Sequence, residues 1–440
     1  MAKRARTGRR IRGGLAAAVI AATAAMAGCA SGAGQGGASG QSGAAPVSVP
    51  SATANPVTSY VRYTGGTAGK ANPALKPVTL GLVNMQGGPP AESFPQATAA
   101  ARAAVKMINT ELGGVHGHPV KLATCFVQSS ESQGQTCGQQ MANAGGVDAV
   151  VFGALSIGNS SFYDATGGKI PVIISVSESP VDDKARNVFE LEGSSTSASD
   201  VFGRYARLAY PRAKTAAIAY INNTGTQAIS DGLRGSFQKA GFTVKMVPYS
   251  ETATDLIGPA TEMEQADIAV PACGFTDCPL MAKAIGEIGG TKPAVSTPLW
   301  TYLPPQSYPG GDLPHWTVGE AGSNLAYPAD PAVGAYLSKS AAYGLPKADA
   351  LTVFAELTWS NALVADKMMN EIPAGRLTPA AVAAKLRQFR GTVPLGSPDT
   401  RCGGTAAPQA PAVCNVDSQF FRYEGHGKWA QAAGWLQPGK

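Results

Sequence analysis

The chain has 440 residues, of which 44% are hydrophobic and 15% are charged. This is enough apolar sequence for two lobes of about 150–180 residues each, and too much for a disordered chain. The formal charge of +6 arises in the first twelve positions, which hold six of the 35 Lys and Arg residues; the rest of the chain balances 29 basic against 29 acidic residues. Because a neutral protein gains little from counterion release, nucleic acid is not expected as a partner.

The first 28 residues have the pattern of a signal peptide. A basic stretch ends at Arg12, an apolar run follows over residues 13–26, and an Ala-Gly-Cys sequence ends at Cys29. As a helix the run would rise about 21 Å, less than the ~30 Å hydrocarbon core of a membrane. The Ala-Gly-Cys sequence resembles a bacterial lipobox, which implies cleavage before Cys29 and a lipid on its sulfur. An ordinary secretory signal is the alternative, and the Arg-Arg pair at residues 9–10 leaves twin-arginine export open.

Residues 29–57 consist mainly of Gly, Ser, Ala, Gln and Pro, without hydrophobic periodicity. Such a composition is typical of a flexible linker. Together with a lipid on Cys29, it predicts a body tethered through its N-terminus to the outer face of the cell membrane.

Six further cysteines fall into three pairs of close neighbours. This pattern is typical of disulfides that close loops in an oxidising, extracytoplasmic compartment. Six cysteines allow fifteen connectivities, of which we predict nearest-neighbour pairing. A zinc site is the alternative, but no C-x-x-C sequence occurs and His116 and His118 are the only nearby imidazoles, so no metal is predicted. The predicted disulfides are Cys125–Cys137, Cys273–Cys278 and Cys402–Cys414.

Strands and helices alternate from residue 77 onwards. Residues 78–83 form a buried apolar run, and residues 94–112 carry apolar side chains at helical spacing, ending at a Gly-Gly pair. Another helix is predicted to begin near Ser156. Ahead of these elements, residues 60–63 are predicted to form a short strand. The other strands predicted in this set are residues 120–123, 147–153 and 170–175.

A second set of elements follows. Helices are predicted at residues 197–208 and around residues 229–240. Residues 295–319, rich in Pro, Gly and aromatics, are predicted to be irregular, with Trp300 and Tyr302 packing in the interior. The predicted strands are residues 215–220, 242–247 and 267–270, and the last predicted helices are residues 351–372 and 377–389.

Strands separated by helices of ten to twenty residues favour parallel sheets with right-handed crossovers. Two successive sets, each too short for a barrel, predict an α/β protein with two doubly wound parallel-sheet lobes joined by a hinge.

Several segments resemble, in the same order, the type I periplasmic binding proteins of branched-chain amino acid and amide ABC transporters, particularly actinobacterial lipoproteins. The similarity spans residues 58–440. It implies the type I periplasmic binding protein fold, whose chain crosses between the lobes three times. Residues 58–190 and 320–395 would form the N-terminal lobe, and residues 191–319 and 396–440 the C-terminal lobe. The similar segments are residues 81–89, 109–119, 153–156, 174–179, 254–256 and 427–435.

The resemblance implies an extracytoplasmic receptor that delivers a small polar solute (an amino acid, amide or small organic acid) to the permease of an ABC importer. The receptor would act as a monomer, by hinge closure. A ligand-sensing lipoprotein that regulates a membrane signalling partner is the alternative. The sequence has four histidines and neither a G-x-S-x-G nor a Walker sequence, so we predict no enzymatic activity, catalytic residue or cofactor.

Ligands of open α/β sheets bind beyond the carboxyl ends of the strands. Ser156 and the N–H groups of Ile157 and Gly158 lie at such a place and would suit a carboxylate, unless Ser156 only caps the helix. Ser177 and Ser179 follow the next strand, where ordinary turn serines are the alternative. Gln86 and Phe94 in the first loop are further candidates.

The second lobe supplies Thr224 and Phe275 as candidates. The family often has an aromatic residue where this chain has Thr224, which argues against a pocket for an aliphatic amino acid. Phe275 lies between two cysteines that would hold it rigid, and a solvent loop is the alternative. Glu178 and Glu356 are the candidates for contact with a ligand ammonium, although an acid on a helix is usually solvated.

Overall fold

The structure is a computed structural model that describes residue 49 and residues 56–143, 145–194, 199–327 and 329–438. The predicted signal peptide and lipidation site lie outside the described residues. Val49, within the predicted linker, is buried among core residues of the second half of the chain, so this end of the linker contacts the folded body.

A five-stranded parallel sheet forms the first lobe, with strand order β2-β1-β3-β4-β5. Strands β1, β3 and β4 are mostly buried, as expected for a sheet covered on both faces. The strands are β1 (Val78–Met85), β2 (Val120–Val127), β3 (Val147–Phe152), β4 (Val172–Val176) and β5 (Val188–Gly193). The helices along them are α1 (Tyr60–Thr64), α2 (Pro95–Thr110), α3 (Glu131–Asn143) and α4 (Asn159–Thr166).

Residues 60–63 form helix α1, so the predicted strand is wrong. Gly65, at φ 70°, ends the helix and donates its N–H to the Val61 carbonyl. The ring of Tyr60 packs edge-on against Trp359, with centroids 6.0 Å apart. Tertiary packing therefore overrides the strand preference of the local sequence.

The second lobe contains two sheets. Strands β6 (Thr215–Ile221), β7 (Thr243–Tyr249) and β8 (Ile268–Ala272) are parallel, in the order β7-β6-β8. The other sheet has the order β14-β13-β10-β9. Its strands are β9 (Val295–Ser296), β10 (Thr317–Glu320), β13 (Ser418–Gly425) and β14 (Lys428–Leu436), and the lobe's helices are α5 (Phe202–Ala209), α6 (Thr224–Lys239), α7 (Ile257–Met263) and α8 (Cys278–Glu287).

The second sheet includes an antiparallel hairpin that the sequence analysis did not predict. Strands β13 and β14 pair from Gly425 and Lys428 onwards, and β13 also runs antiparallel to β10. The two residues of the turn, His426 and Gly427, both have positive φ (53° and 72°). This is the geometry that two-residue hairpin loops require.

The last helices return to the first lobe. They are α9 (Pro331–Ala342), α10 (Lys347–Ala350), α11 (Val353–Asn370) and α12 (Pro379–Arg387). Helix α11 is buried along nearly its whole length and packs against α2 and the first sheet. A helix buried on all sides belongs to the interior of a domain.

The segment between α12 and β13 also packs against the first lobe. It contains two short strands, β11 (Arg390–Gly391) and β12 (Thr400–Arg401). Cys402 and Cys414 share a core with Trp359, and Val413 pairs with Glu190 of β5. The chain joins the second sheet only at β13.

Three disulfides close local loops: Cys125–Cys137, Cys273–Cys278 and Cys402–Cys414. The first joins β2 to α3, the second joins the end of β8 to α8, and the third closes the loop after β12. The predicted α/β class, with parallel sheets in two lobes, is confirmed. Among the described residues, no helix combines the length and apolar character needed to span a membrane.

Candidate functional site

A cavity of about 260 Å³ lies where the carboxyl ends of strands from both lobes meet. From the first lobe, Gly153 follows β3 and Val176 ends β4. From the second lobe, Ala272 ends β8 and Glu320 ends β10. This is where ligands bind in open α/β folds.

Most of the cavity wall is apolar. Phe354 and Leu357 of α11 face it from the first lobe, and Phe202 of α5 and Ile229 of α6 face it from the second. The Phe354 ring packs on Phe94, with centroids 4.4 Å apart. The wall therefore favours a ligand with an apolar body.

Four carboxyl groups interrupt the apolar wall: Glu178 after β4, Glu192 in β5, Glu320 at the end of β10 and Glu356 in α11. Glu356, Glu192 and Glu320 are only 1%, 2% and 3% exposed. None of the described residues lining the cavity is Lys, Arg or His. The site thus groups four acidic side chains, ionised or protonated, without a basic partner.

Two of these carboxyls converge beside Gly322, which also lines the cavity. A methyl group at the Gly322 Cα would lie 3.0 Å from Glu192 Oε2 and 3.5 Å from Glu356 Oε1. A glycine at this position therefore leaves room for both carboxyl groups.

Hydrogen bonding leaves part of the cluster unsatisfied. The Tyr302 hydroxyl donates a long hydrogen bond to Glu320 Oε2, at 3.4 Å. By contrast, Glu192 Oε1 and Glu356 Oε1 are buried and have no hydrogen-bond partner. Buried polar atoms in native proteins are usually paired, so these two oxygens are candidates for contact with a bound group.

Burial raises the pKa of all four carboxyls, because a low-dielectric environment penalises the charged form. The pKa of Glu178 rises to about 8, with repulsion by Asp182 as the second cause. Burial also raises the pKa of Glu320 to about 8. The pKa values of Glu192 and Glu356 rise well above the usual range through burial first and repulsion by neighbouring carboxyls second. At neutral pH these carboxyls are therefore mostly protonated.

Among the residues predicted from the sequence, Glu178 and Glu356 line the cavity. Phe94 stands directly behind Phe354. Gln86 accepts a hydrogen bond from the Thr98 hydroxyl at 2.7 Å, so its side chain is occupied within the first lobe.

The predicted carboxylate site at the start of α4 is occupied by a carboxylate of this chain. The helix begins at Asn159, three residues after Ser156, so the predicted start is displaced. The Gly158 N–H donates to Glu131 Oε1 at 2.9 Å. The Ser156 hydroxyl and N–H both point to the sulfur of Met85.

The remaining candidates are not among the described residues that line the cavity. Ile157 packs against the core between the first sheet and its helices, and Ser177 is buried. The Ser179 N–H donates to Asp182 Oδ2 at 3.0 Å. Thr224 is the first residue of α6, and Phe275 is 43% exposed. The ligand-binding roles of these residues stay predictions.

Sequence analysis missed Glu192, Glu320 and Tyr302 as site residues. The sequence around Glu192 contains a usable pattern, since acids alternate with apolar residues in the buried strand β5. Glu320 is flanked by small residues at a strand end. Tyr302 was assigned only to interior packing, whereas it lines the cavity.

A family model described as periplasmic binding protein matches residues 77–419. The chain therefore belongs to the periplasmic binding protein family, a family of transport-related, extracytoplasmic binding proteins. The resemblance to this family identified from the sequence is confirmed, whereas the actinobacterial lipoprotein type stays a prediction. No curated protein matches the sequence.

Many solved structures share the fold. A putative branched-chain amino acid ABC transporter protein from Rhodospirillum rubrum is 15% identical, with a TM-score of 0.65 over 81% of this chain and 100% of that one. A solute-binding protein from R. palustris, in complex with 4-hydroxybenzoate, is 16% identical, with a TM-score of 0.63 over 82% and 98%. The branched-chain amino acid binding protein LivJ from Streptococcus pneumoniae, in complex with isoleucine, is 15% identical, with a TM-score of 0.60 over 82% and 100%. At these identities the likeness establishes the fold.

Proposed function

We propose that this protein is an extracytoplasmic receptor that captures a small solute between its lobes and delivers it to the permease of an ABC importer. The observation that carries the proposal is the cavity bounded by strand ends of both lobes. The related structures from R. palustris and S. pneumoniae hold 4-hydroxybenzoate and isoleucine, which supports a ligand of similar size here.

Hinge closure is the proposed mechanism. A solute first contacts the α11 face of the first lobe, and residues of the second lobe such as Glu320 then complete its contacts. Glu192, Glu320 and Glu356 are 1–3% exposed, so a solute can reach them only if the lobes separate. A solute that touches both lobes stabilises the closed form, which the permease would recognise.

The proposed lobe division differs from that of the resemblance by a few residues at the first two crossings and by about twenty at the third. We assign residues 58–193 and 321–414 to the first lobe, because β5 belongs to its sheet and Cys402 and Cys414 pack in its core. Residues 199–320 and those from 415 onwards form the second lobe. A lipid on Cys29 and the linker would tether this monomer to the membrane.

A thermal-shift screen of the purified protein against amino acids, amides, amines and organic acids tests the receptor function. A cognate solute at a hundredfold its Kd should stabilise the protein by about 2.7 kcal/mol. The Phe354→Ala variant should lose affinity for that solute by about tenfold, because it removes apolar contact from the cavity wall.

Leu351→Ala is the matched control, since Leu351 is 40% exposed and lies two residues before α11 without lining the cavity. It should bind like the unmodified protein. If the Phe354→Ala variant binds the solute as tightly as the unmodified protein, the cavity is not the binding site. A screen in which no solute stabilises the protein would contradict the receptor function.

A further inference from the structure

We propose that the solute is an organic ammonium ion with an apolar body and no carboxylate, held by the carboxyl groups of Glu192, Glu320 and Glu356. The inference rests on the proposed receptor function and narrows its substrate class. It depends on the juxtaposition of three carboxyls from β5, β10 and α11 on one wall of an otherwise apolar cavity.

The first argument is the unmet hydrogen-bonding capacity of the cluster. Glu192 and Glu356 are 2% and 1% exposed, and each has a buried oxygen without a hydrogen-bond partner. An ammonium group has three donors and no acceptor. Beside Gly322 it would meet the unpaired Oε1 of Glu356 together with Oε2 of Glu192, and charge-assisted bonds of this kind are the strong ones.

The second argument is that a ligand carboxylate finds no basic counterpart. The described residues lining the cavity include no Lys, Arg or His. The N–H groups at the start of α4, which would suit an anion, already bind Glu131 through Gly158 and Ser161. An anionic group in the cavity would face four carboxyls and would be repelled wherever they are ionised.

The third argument separates an organic cation from a metal ion. Among the residues that the structure describes, no three carboxylate, imidazole or thiolate groups are arranged to hold one metal ion. The aromatic rings of Phe202 and Phe354 and the side chain of Ile229 form the rest of the wall. They suit a hydrocarbon or aromatic body, and aromatic faces also attract organic cations.

Because the pKa values of the carboxyls are raised, binding of an ammonium ion should release protons and depend on pH. Burial keeps Glu320 (pKa about 8) and the higher-pKa Glu192 and Glu356 mostly protonated at neutral pH. An ammonium ion favours the ionised form, so its binding should release protons. Its affinity should therefore rise with pH up to the pKa of the amine itself, about 10.4 for an alkylamine.

Other groups also act on the cluster. Asp330 adds a smaller repulsion of the ionised form of Glu356, and burial first and Glu356 second raise the pKa values of Tyr60 on α1 and Tyr336 on α9. Tyr302 hydrogen-bonds to Glu320 and lowers its pKa against the larger effect of burial. Glu178 stands apart from the cluster, with Asp182 as its charged neighbour.

Isothermal titration with matched triplets of compounds tests the proposal. One triplet is 3-methylbutylamine, leucine and 4-methylpentanoate, and the other is 2-phenylethylamine, phenylalanine and 3-phenylpropanoate. Each triplet shares an apolar body and differs only in its charged groups. We expect at least one amine to bind at least tenfold more tightly than its amino acid and its acid. We also expect its affinity to increase severalfold from pH 6 to pH 8, with proton release detected by repeating the titration in buffers of different ionisation enthalpy.

The Glu356→Gln and Glu192→Gln variants sharpen the test. Each should weaken amine binding by tenfold or more and reduce the number of protons released. Glu424→Gln is the control, because Glu424 is exposed and pairs with Arg422 outside the cavity; it should change neither quantity. A merely structural role would leave the proton count unchanged.

Tighter binding of an amino acid or an acid than of its matching amine would overturn the inference, as would failure of both amines to bind. If such an acid or amino acid still binds more weakly to the Phe354→Ala variant, the receptor function stands and only the substrate class is wrong. If no solute of any class binds, both proposals fail.

Discussion

Replacing Glu190 by glutamine should stabilise the protein near pH 8 and change its stability little near pH 5. Glu190 is fully buried in β5. Burial, followed by repulsion from Asp183 and Asp182, raises its pKa from 4.5 to about 10. The folded protein therefore holds a proton that the unfolded chain gives up above pH 4.5, so the free energy of unfolding falls as pH rises from 4.5 towards 10.

The expected difference is large. At 1.4 kcal/mol per pH unit, the stabilisation by Glu190→Gln should grow by up to about 4 kcal/mol between pH 5 and pH 8. Urea denaturation of both proteins at the two pH values measures it. The same stabilisation at both values would show that Glu190 is ionised in the folded protein.

Glu111→Gln is the control, because the pKa of Glu111 is lowered in the folded protein whereas that of Glu190 is raised. Partial burial opposes ionisation of Glu111, but hydrogen bonds from Lys339 and Tyr343 lower its pKa. Its contribution is present above the unfolded pKa and is lost only as pH falls below it. This variant should therefore lose stability equally at pH 5 and pH 8.

Replacing Trp359 by alanine should destabilise the protein by about 3–5 kcal/mol. Trp359 has no exposed surface. Its ring packs edge-on against Tyr60 of α1 at 6.0 Å and against Tyr336 of α9 at 5.7 Å, between ring centroids. Removing it leaves a cavity where three helices meet, and urea denaturation measures the loss.

Leu208→Ala provides the comparison for the tryptophan variant. Leu208 lies on α5 and is 38% exposed, so its removal should change stability by about 0.5 kcal/mol or less. A loss below about 1 kcal/mol for Trp359→Ala would contradict the close packing around α11.

Strands β1–β4 and β6–β8 could be predicted because they contain apolar runs bounded by turn residues, as in β1 and β3. The prediction failed where tertiary contacts decide. Helix α1 forms because Tyr60 packs against Trp359, 299 residues later in the chain. Strand β5 was not predicted because its acids, Glu190 and Glu192, interrupt the apolar pattern, although all its residues are buried.

In the candidate site too, prediction from the sequence fails where tertiary contacts decide. Glu178 and Glu356 could be predicted as cavity residues because one follows a strand and the other lies on a long helix. Glu320 could not, since its place beside Glu192 and Glu356 depends on how the strand ends of two lobes meet. The start of α4 was predicted as an anion site from local sequence, but Glu131, 27 residues before Gly158, fills it.

The carboxyl cluster links stability to function. Buried carboxyls without a charged partner are unfavourable, and in the proposed mechanism a ligand group that pairs with them reverses that effect. The proposed receptor would then gain closed-state stability only when the right solute is present.

Small-angle X-ray scattering of the purified protein, with and without a solute identified by the thermal-shift screen, tests the central claim most directly. If the lobes close over the solute, the radius of gyration should decrease on saturation, and the saturated curve should match that calculated from the described structure. A solute that binds in the cavity without changing the scattering curve would contradict closure as the mechanism.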